Sequence, residues 1–327
     1  MFSFYFLILL NIIINISNWA KMKNQHKIVN SNLGKMGRFA NKAFQYIFLL
    51  TYSTKYGYEF SNLQWEGDEI FNIQPGVSTL PKMNFTAKQT DIDPLKCAIA
   101  NASKPLKNHD LQGYFQYNMK YYLPYRKKIT AEFAAKGIYL NAENTLQKIF
   151  KSLPGPVAVI HLRRGDYGQD VFFITPNSWY LNWLKTLRKK HPNLHVFIAT
   201  DDYMAIDNVF DEFNIMTTKS LDLPSVDHNF FYDFCAMKIA DHLAIANSTF
   251  SFLASILNTN AKTFVRPDPS IKKLKAYNPW ISDPLILTHK AEDLGEEYKF
   301  EYYRSNKKYN IQKILEKIFT KISSYIS

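Results

Sequence analysis

Val157-Ala158-Val159-Ile160-His161-Leu162-Arg163-Arg164-Gly165-Asp166-Tyr167 is an apolar run that ends abruptly in His-x-Arg-Arg-Gly-Asp. An uninterrupted run of this length predicts a strand buried on both faces, as in a parallel sheet. Two adjacent arginines at the carboxyl end of such a strand are costly unless an anion neutralises them. In an open α/β sheet that edge is where ligands bind, and the planar guanidinium matches phosphate oxygens in bidentate fashion. The segment therefore points to a phosphate-bearing ligand, a nucleotide diphosphate, held just beyond Leu162. A surface turn closed by an Arg164–Asp166 ion pair fits the same residues equally well. An Arg-Gly-Asp adhesion tripeptide fits them less well, because it stands at a strand end and not on a long exposed loop.

Outward from this strand the pattern alternates. Helices are expected at about 177–189, near 203–213, at 230–240 and at 249–258. Strands are expected at 194–199, 214–217, 243–246 and 262–265. Alternating strands and helices imply a parallel, doubly wound sheet. Before it, Ser152-Leu153-Pro154-Gly155-Pro156 marks the best boundary. The first half opens with a short strand at 27–30, a glycine-bearing loop and a helix from about Phe39 to Tyr56, which Gly57 would cap. A strand or turn at 111–116 and a helix around 125–136 follow. The expected organisation is a short hydrophobic segment at 1–22, an N-terminal lobe at 23–153, a second α/β lobe at 154–290 and a helical tail at 291–327.

The chain has 327 residues, 46% hydrophobic and 16% aromatic, enough for two domains with real cores. A net charge of +12 favours an anionic partner. The lysines are spread rather than striped, and no zinc-finger, RNA-recognition or basic-helix signature occurs, so nucleic acid is not expected as a partner. Only Cys97 and Cys235 are present, which allows one disulfide but no framework and leans towards a reducing compartment. Sequons at Asn15, Asn84, Asn101 and Asn247 are no sign of secretion, since one lies in an apolar run and one in a buried-looking motif. Residues 2–16 are almost wholly apolar, short of the ~20 that span a bilayer. Lys21, Lys23 and Lys27 follow this segment and no basic residue precedes it, so membrane association through it would leave the remainder in the cytoplasm. The alternative is a type II Golgi membrane protein.

Three more segments accompany the arginine pair. Gly37-Arg38-Phe39-Ala40-Asn41 leads from a loop into a helix, Phe197-Ile198-Ala199-Thr200-Asp201-Asp202 is a strand ending in two carboxylates, and Ile245-Ala246-Asn247-Ser248-Thr249-Phe250 is a strand turning into a helix. With Gly113-Tyr114-Phe115-Gln116, this ordered set resembles the alpha-1,2-fucosyltransferases of glycosyltransferase family 11 over roughly residues 27–290. It resembles the alpha-1,6- and protein O-fucosyltransferases more distantly. The family usually shows Gly-Asn-Gln-Met where this chain has Ala40-Asn41-Lys42-Ala43, and two tryptophans where it has Phe252-Leu253.

The resemblance implies a GT-B-like fold of two Rossmann-like lobes, with the donor site in the C-terminal lobe. It implies inverting transfer of L-fucose from GDP-β-L-fucose to the 2-hydroxyl of a β-galactoside, with a GDP-sugar and a glycan acceptor as partners and no metal or other cofactor. Transfer to a protein or another glycan, and a non-catalytic GDP-sugar- or glycan-binding role, are the alternatives. Arg163 and Arg164 would stabilise charge on the departing diphosphate, helped by N–H groups near Asn247, Ser248 and Thr249. His161 with Asp201 or Asp202 would read guanine, and Asp166 would belong to the donor site. Asp202 is expected to be the reader and Asp201 or Thr200 the helix cap. Asn41 matches an asparagine that approaches the transferred sugar in the protein O-fucosyltransferases, and Gly37, Arg38, Tyr114 and Gln116 fall on the acceptor side. An acceptor base is not evident among Asp166, His161 and Asp91.

Asp91-Ile92-Asp93 has the shape of a metal-binding Asp-x-Asp but precedes Pro94 and ends no apolar strand. With two arginines at the phosphate position, transfer activity should survive EDTA. Loss of activity on chelation, restored by Mn²⁺, contradicts that expectation.

Overall fold

The computed structural model describes residues 26–91, 99, 105–206 and 208–291. The apolar run at 2–16, Ile92 and Asp93, Cys97 and the tail beyond 291 lie outside them. No helix among the described residues is long and apolar enough to cross a membrane. The chain divides into two compact units. The first runs to Phe115, apart from Ile70–Asn72, and the second holds Ile70–Asn72 and everything described from Gln116 onward.

The first unit is built on four parallel strands, β1 (Lys27–Asn30), β2 (Glu59–Asn62), β3 (Phe85–Lys88) and β4 (His109–Gln112), in the order β2-β1-β4-β3. Helix α1 (Phe39–Tyr56) connects β1 to β2, and Gly57 ends it in a left-handed conformation. Most of α1 is buried, Tyr46, Phe48 and Tyr52 completely, so it is the core helix of this unit. Ile28 and Leu111, on neighbouring strands, are also fully buried.

In the second unit, helices α2 (Arg126–Glu132) and α3 (Gly137–Ser152) precede a six-stranded sheet. Its strands are β5 (Val157–Leu162), β6 (His195–Thr200), β7 (Ile215–Met216), β8 (His242–Ala244), β9 (Thr263–Asp268) and β10 (Lys273–Ala276). The order is β10-β9-β8-β5-β6-β7, parallel except for β10, which pairs antiparallel with β9. Every residue of β5 is buried, as its unbroken apolar run requires of a central strand. Helices α4 (Asn177–Lys190), α5 (Phe231–Ile239) and α6 (Thr249–Leu257) complete the alternation.

Both sheets reverse direction of growth beside their first strand. From β5 the chain moves to β6 and β7 and then returns to β8 on the other side, so β5 and β8 flank a switch point. From β1 it moves to β2 and then crosses to β3 at the other edge, with β4 filling the place beside β1, which makes a second switch point between β1 and β4. The carboxyl ends of such strand pairs open a crevice that no crossover covers.

Three expectations change. The units part at Phe115–Gln116, well before the proline-rich stretch at 152–156. The reason is α3, whose Tyr139, Ala142, Leu146 and Phe150 recur at helical spacing and are buried. Tyr139 packs edge-on against Phe231 and Phe150 against Phe197, while Lys238 pairs with Glu143 at 2.9 Å with both side chains nearly buried. The helix expected near 203–213 is instead two single 3₁₀ turns, Tyr203–Ala205 and Asn208–Phe210, the first held by the Asp202 carboxylate. Side chains such as Asp202 and Asn208 compete with helical backbone bonding. The helix expected at 125–136 ends at Glu132.

Glu143→Ala should destabilise the full chain by roughly 3 kcal/mol, because it strands a buried ammonium. Urea unfolding measures this, and a loss under about 0.5 kcal/mol would contradict the placement of α3 against α5.

Candidate active site

The β5 switch point is where the arginine pair emerges, and the two arginines differ. Arg164 is buried, 4% exposed. Its Nη1 donates to the Arg163 carbonyl at 3.1 Å and its Nη2 to Asn177 Oδ1 at the start of α4. Among the described residues no carboxylate pairs with its guanidinium. Arg163 is partly exposed and ion-paired twice, with Asp166 and, at 2.8 Å, with Asp201. Its guanidinium also lies over the Tyr167 ring. The ion pair to Asp166 therefore comes from Arg163, not from Arg164, and leaves the buried cation uncompensated. Asp166 itself is exposed.

Asp201 is the clamp of this turn. Its Oδ1 accepts the Arg164 N–H at 2.8 Å and its Oδ2 binds Arg163. A side chain at Gly165 would place Cβ 2.6 Å from Asp201 Oδ2, so only glycine lets the carboxylate approach. Asp202 takes the capping role expected of Asp201, accepting the Met204 N–H at 3.0 Å. Thr200 fastens the end of β6 to that of β5 by donating to the Leu162 carbonyl at 2.9 Å. Asp233 of α5 lies under the same edge, accepting the Thr200 N–H at 3.2 Å and the Thr218 hydroxyl. Burial, with Asp201 nearby, pushes its carboxyl up to about 7.

His161 is buried, and its Nδ1 has no partner. Burial and the two guanidiniums push its imidazole down to about 3, so it is neutral at working pH and cannot serve as a general base. The loop after β8 faces this turn. Tyr167 donates its hydroxyl to the Asn247 carbonyl at 3.1 Å, which ties the loop after β5 to the loop after β8. Asn247 is wholly buried and its side chain is committed, Nδ2 to the Val171 and Ile286 carbonyls and Oδ1 to the Ile286 N–H. It braces the loop and has no amide group left for a ligand. Ser248 caps α6 through the Phe250 N–H, and Thr249 begins that helix. The turn thus gathers a buried cation, a paired cation and a helix N-terminus, an arrangement that suits a phosphate group.

In the first unit, Gly37, Asn41 and Tyr114 converge. Gly37 has φ of 81°, and a Cβ there would lie 2.6 Å from Asn41 Cβ and 3.0 Å from Tyr114 Cε1. Glycine leaves that corner open. Arg38 stands exposed at the start of α1. Lys42, where a glutamine is usual in the resembled family, pairs with Glu66 at 2.8 Å. Gln116 belongs to the second unit and Tyr114 to the first. Phe252 and Leu253 are fully buried core positions. Among the described residues no three His, Cys, Asp or Glu side chains gather as a metal site.

The model of glycosyl transferase family 11 matches residues 10–270. The chain belongs to glycosyl transferase family 11. No curated protein sequence matches this family 11 chain significantly. Among solved structures it is similar to the fucosyltransferase NodZ from Bradyrhizobium, with 11% identity, a TM-score of 0.52 and coverage of 78% of this chain and 99% of that one. It is equally similar to NodZ alpha-1,6-fucosyltransferase co-crystallised with GDP, at 10% identity, TM-score 0.51 and the same coverage. At these identities the likeness is one of fold, and the fold is GT-B-like.

Sequence reasoning missed three residues that the structure brings to this turn. Asn177 and Tyr167 carry no motif of their own. Asp233 is an acid in a helix that is apolar apart from it and Lys238, a signal that could have drawn attention to it. Because its folded carboxyl titrates near 7 and an unfolded one near 4, the folded chain binds the extra proton between those values. Asp233 therefore lowers stability as pH rises from about 4 to about 7, with no further change above. The free energy required to unfold wild type, relative to Asp233→Asn, should be larger at pH 5 than at pH 8. A constant difference would contradict the assignment.

Proposed function

We propose that this chain transfers L-fucose from GDP-β-L-fucose to the 2-hydroxyl of a β-galactoside, with inversion and without a metal. The observation that carries the reading is Arg164, a buried guanidinium without a carboxylate at the switch point of a GT-B-like second unit. Solved structures of NodZ include one soaked with GDP-fucose and one co-crystallised with GDP, which agrees with a GDP-sugar donor.

In this reading the acceptor oxygen bonds to C1 of fucose as the bond from C1 to the β-phosphate oxygen breaks, and the acceptor hydroxyl's proton passes to water or to the departing diphosphate. Negative charge grows on the departing diphosphate. Arg164, already desolvated and held by Asn177 and the Arg163 carbonyl, meets that charge without reorganising. Arg163 can exchange Asp166 for a phosphate oxygen, because that carboxylate is exposed and returns to water at little cost. Neutral His161 offers its unpartnered Nδ1 to the base. With Asp201 bound to Arg163 and the Arg164 N–H, the carboxylate left at the end of β6 to read the guanine edge is Asp202, whose Oδ1 caps Met204 and whose Oδ2 is available. Leaving-group stabilisation and positioning supply the rate, since His161 cannot take the acceptor proton.

Arg164→Ala should lower kcat by at least 100-fold as well as weaken GDP, and Arg164→Lys should rescue little, because a point charge cannot span two oxygens. GDP should inhibit far better than ADP or UDP, since a buried acid left unpaired by the wrong base costs roughly 1–3 kcal/mol. Steady-state transfer from labelled GDP-fucose to lactose checks both. Near wild-type kcat/KM in Arg164→Ala, or equal inhibition by the three nucleotides, contradicts the reading.

A further inference from the structure

The second switch point, between β1 and β4, carries polar side chains of another kind. Ser31 directly follows β1. Its N–H donates to Asp110 Oδ1 at 2.9 Å and its hydroxyl to Asp110 Oδ2 at 2.6 Å. Gln112 Nε2 donates to Asp110 Oδ2 at 2.7 Å and to Ser31 Oγ at 2.9 Å. Asp110 and Gln112 are two apart in β4 and share a face, while Leu111 between them is buried on the other. All three polar residues are half-buried, within reach of solvent. Among the described residues no cation pairs with Asp110, in a chain of net charge +12.

The unused capacity of this group is acceptor capacity. Asp110 Oδ1 receives one hydrogen bond and has room for a second, and Gln112 Oε1 receives none among the described residues. An uncompensated carboxylate repels phosphate. What fits is a neutral ligand rich in O–H donors. The strand end beside it is strained in a way that favours the same ligand. Phe115 adopts a left-handed backbone, φ 54°, which is rare for an aromatic residue. Its buried ring stacks on Phe48 at 3.8 Å, and its N–H is held by Gln89 Oε1 at 3.0 Å. This anchor turns Tyr114 outward, 39% exposed, over the corner left open by Gly37. Strain of this sort is kept where a site needs it.

We propose that Ser31, Asp110 and Gln112 form a hydroxyl-binding subsite that recognises two neighbouring hydroxyls of the acceptor sugar, with the Tyr114 ring as its apolar wall. The proposal rests on the glycan-acceptor part of the reading above and adds the residues that choose the acceptor. Asp110 is here a specificity residue that also fixes Ser31, whereas Gln112 bonds only side chains and can be removed without freeing a backbone group.

The test is NMR titration of the full chain with lactose at saturating GDP, beside titration with GDP alone. Gln112→Ala should weaken lactose about tenfold and Asp110→Asn by more, with GDP affinity within about twofold of wild type in both. Lactose lacking one of the recognised hydroxyls should bind wild type and Gln112→Ala alike. Unchanged lactose affinity in both variants overturns the subsite, as does a parallel loss of GDP affinity, which would mark a structural role. If Asp110→Asn does not fold, Gln112→Ala alone decides. A wild type that binds GDP but not lactose also overturns the subsite. A wild type that binds no GDP overturns the donor reading instead, and the lactose titration still decides the subsite.

Discussion

A guanidinium buried without a carboxylate is the constraint around which the second unit is arranged. Arg164 gives up hydration and receives only neutral oxygens, from the Arg163 backbone and Asn177. Such a cation is expensive by itself and is retained only where something else completes it. Its neighbours act to prevent local repair. Asp201 is bound to the Arg164 N–H and to the Arg163 side chain, and the absence of a side chain at Gly165 lets it take that position. The fold therefore keeps a positive charge poised at the carboxyl edge of β5, where an anion relieves it.

The two sheets present opposite chemistries at equivalent places. At the β5–β8 edge a buried cation without a carboxylate and the N–H donors of a helix start stand beside the paired Arg163 and its carboxylates, suited to a diphosphate. At the β1–β4 edge they are a carboxylate, an amide and a hydroxyl with acceptor capacity to spare, suited to sugar hydroxyls. Neither set could serve the other ligand, because phosphate next to Asp110 or a bare hydroxyl next to Arg164 leaves a charge unanswered. On the proposed reading, the division of labour follows from which residues each switch point displays and needs no catalytic residue of unusual reactivity.

Much of this was legible in the sequence, and what was not has physical reasons. The β5 run, α1 with its Gly57 cap and the parallel alternation after residue 157 follow from hydrophobic period and punctuation alone. Helix α3 was equally periodic, at 139, 142, 146 and 150, but exposed Ile138 and Leu140 blur the stripe. The proline-rich stretch after it ends a helix rather than a domain. The roles of Asp201 and Asp202 depend on which carboxylate meets the Arg164 N–H, a matter of backbone direction that composition does not encode. For the same reason Arg163 and Arg164 were indistinguishable by type, although one is paired and the other is not. Asn247 fitted a ligand-binding motif, yet its amide is consumed in bracing the loop.

The most direct measurement is calorimetric titration of the protein with GDP, GMP and guanosine, in wild type and in Arg164→Met, a nearly isosteric change that removes the charge. If the buried cation is there for the diphosphate, wild type binds GDP at least 100-fold more tightly than guanosine, and Arg164→Met, folded and of equal or greater stability, loses most of that preference. Equal preference for GDP in wild type and Arg164→Met would contradict the account.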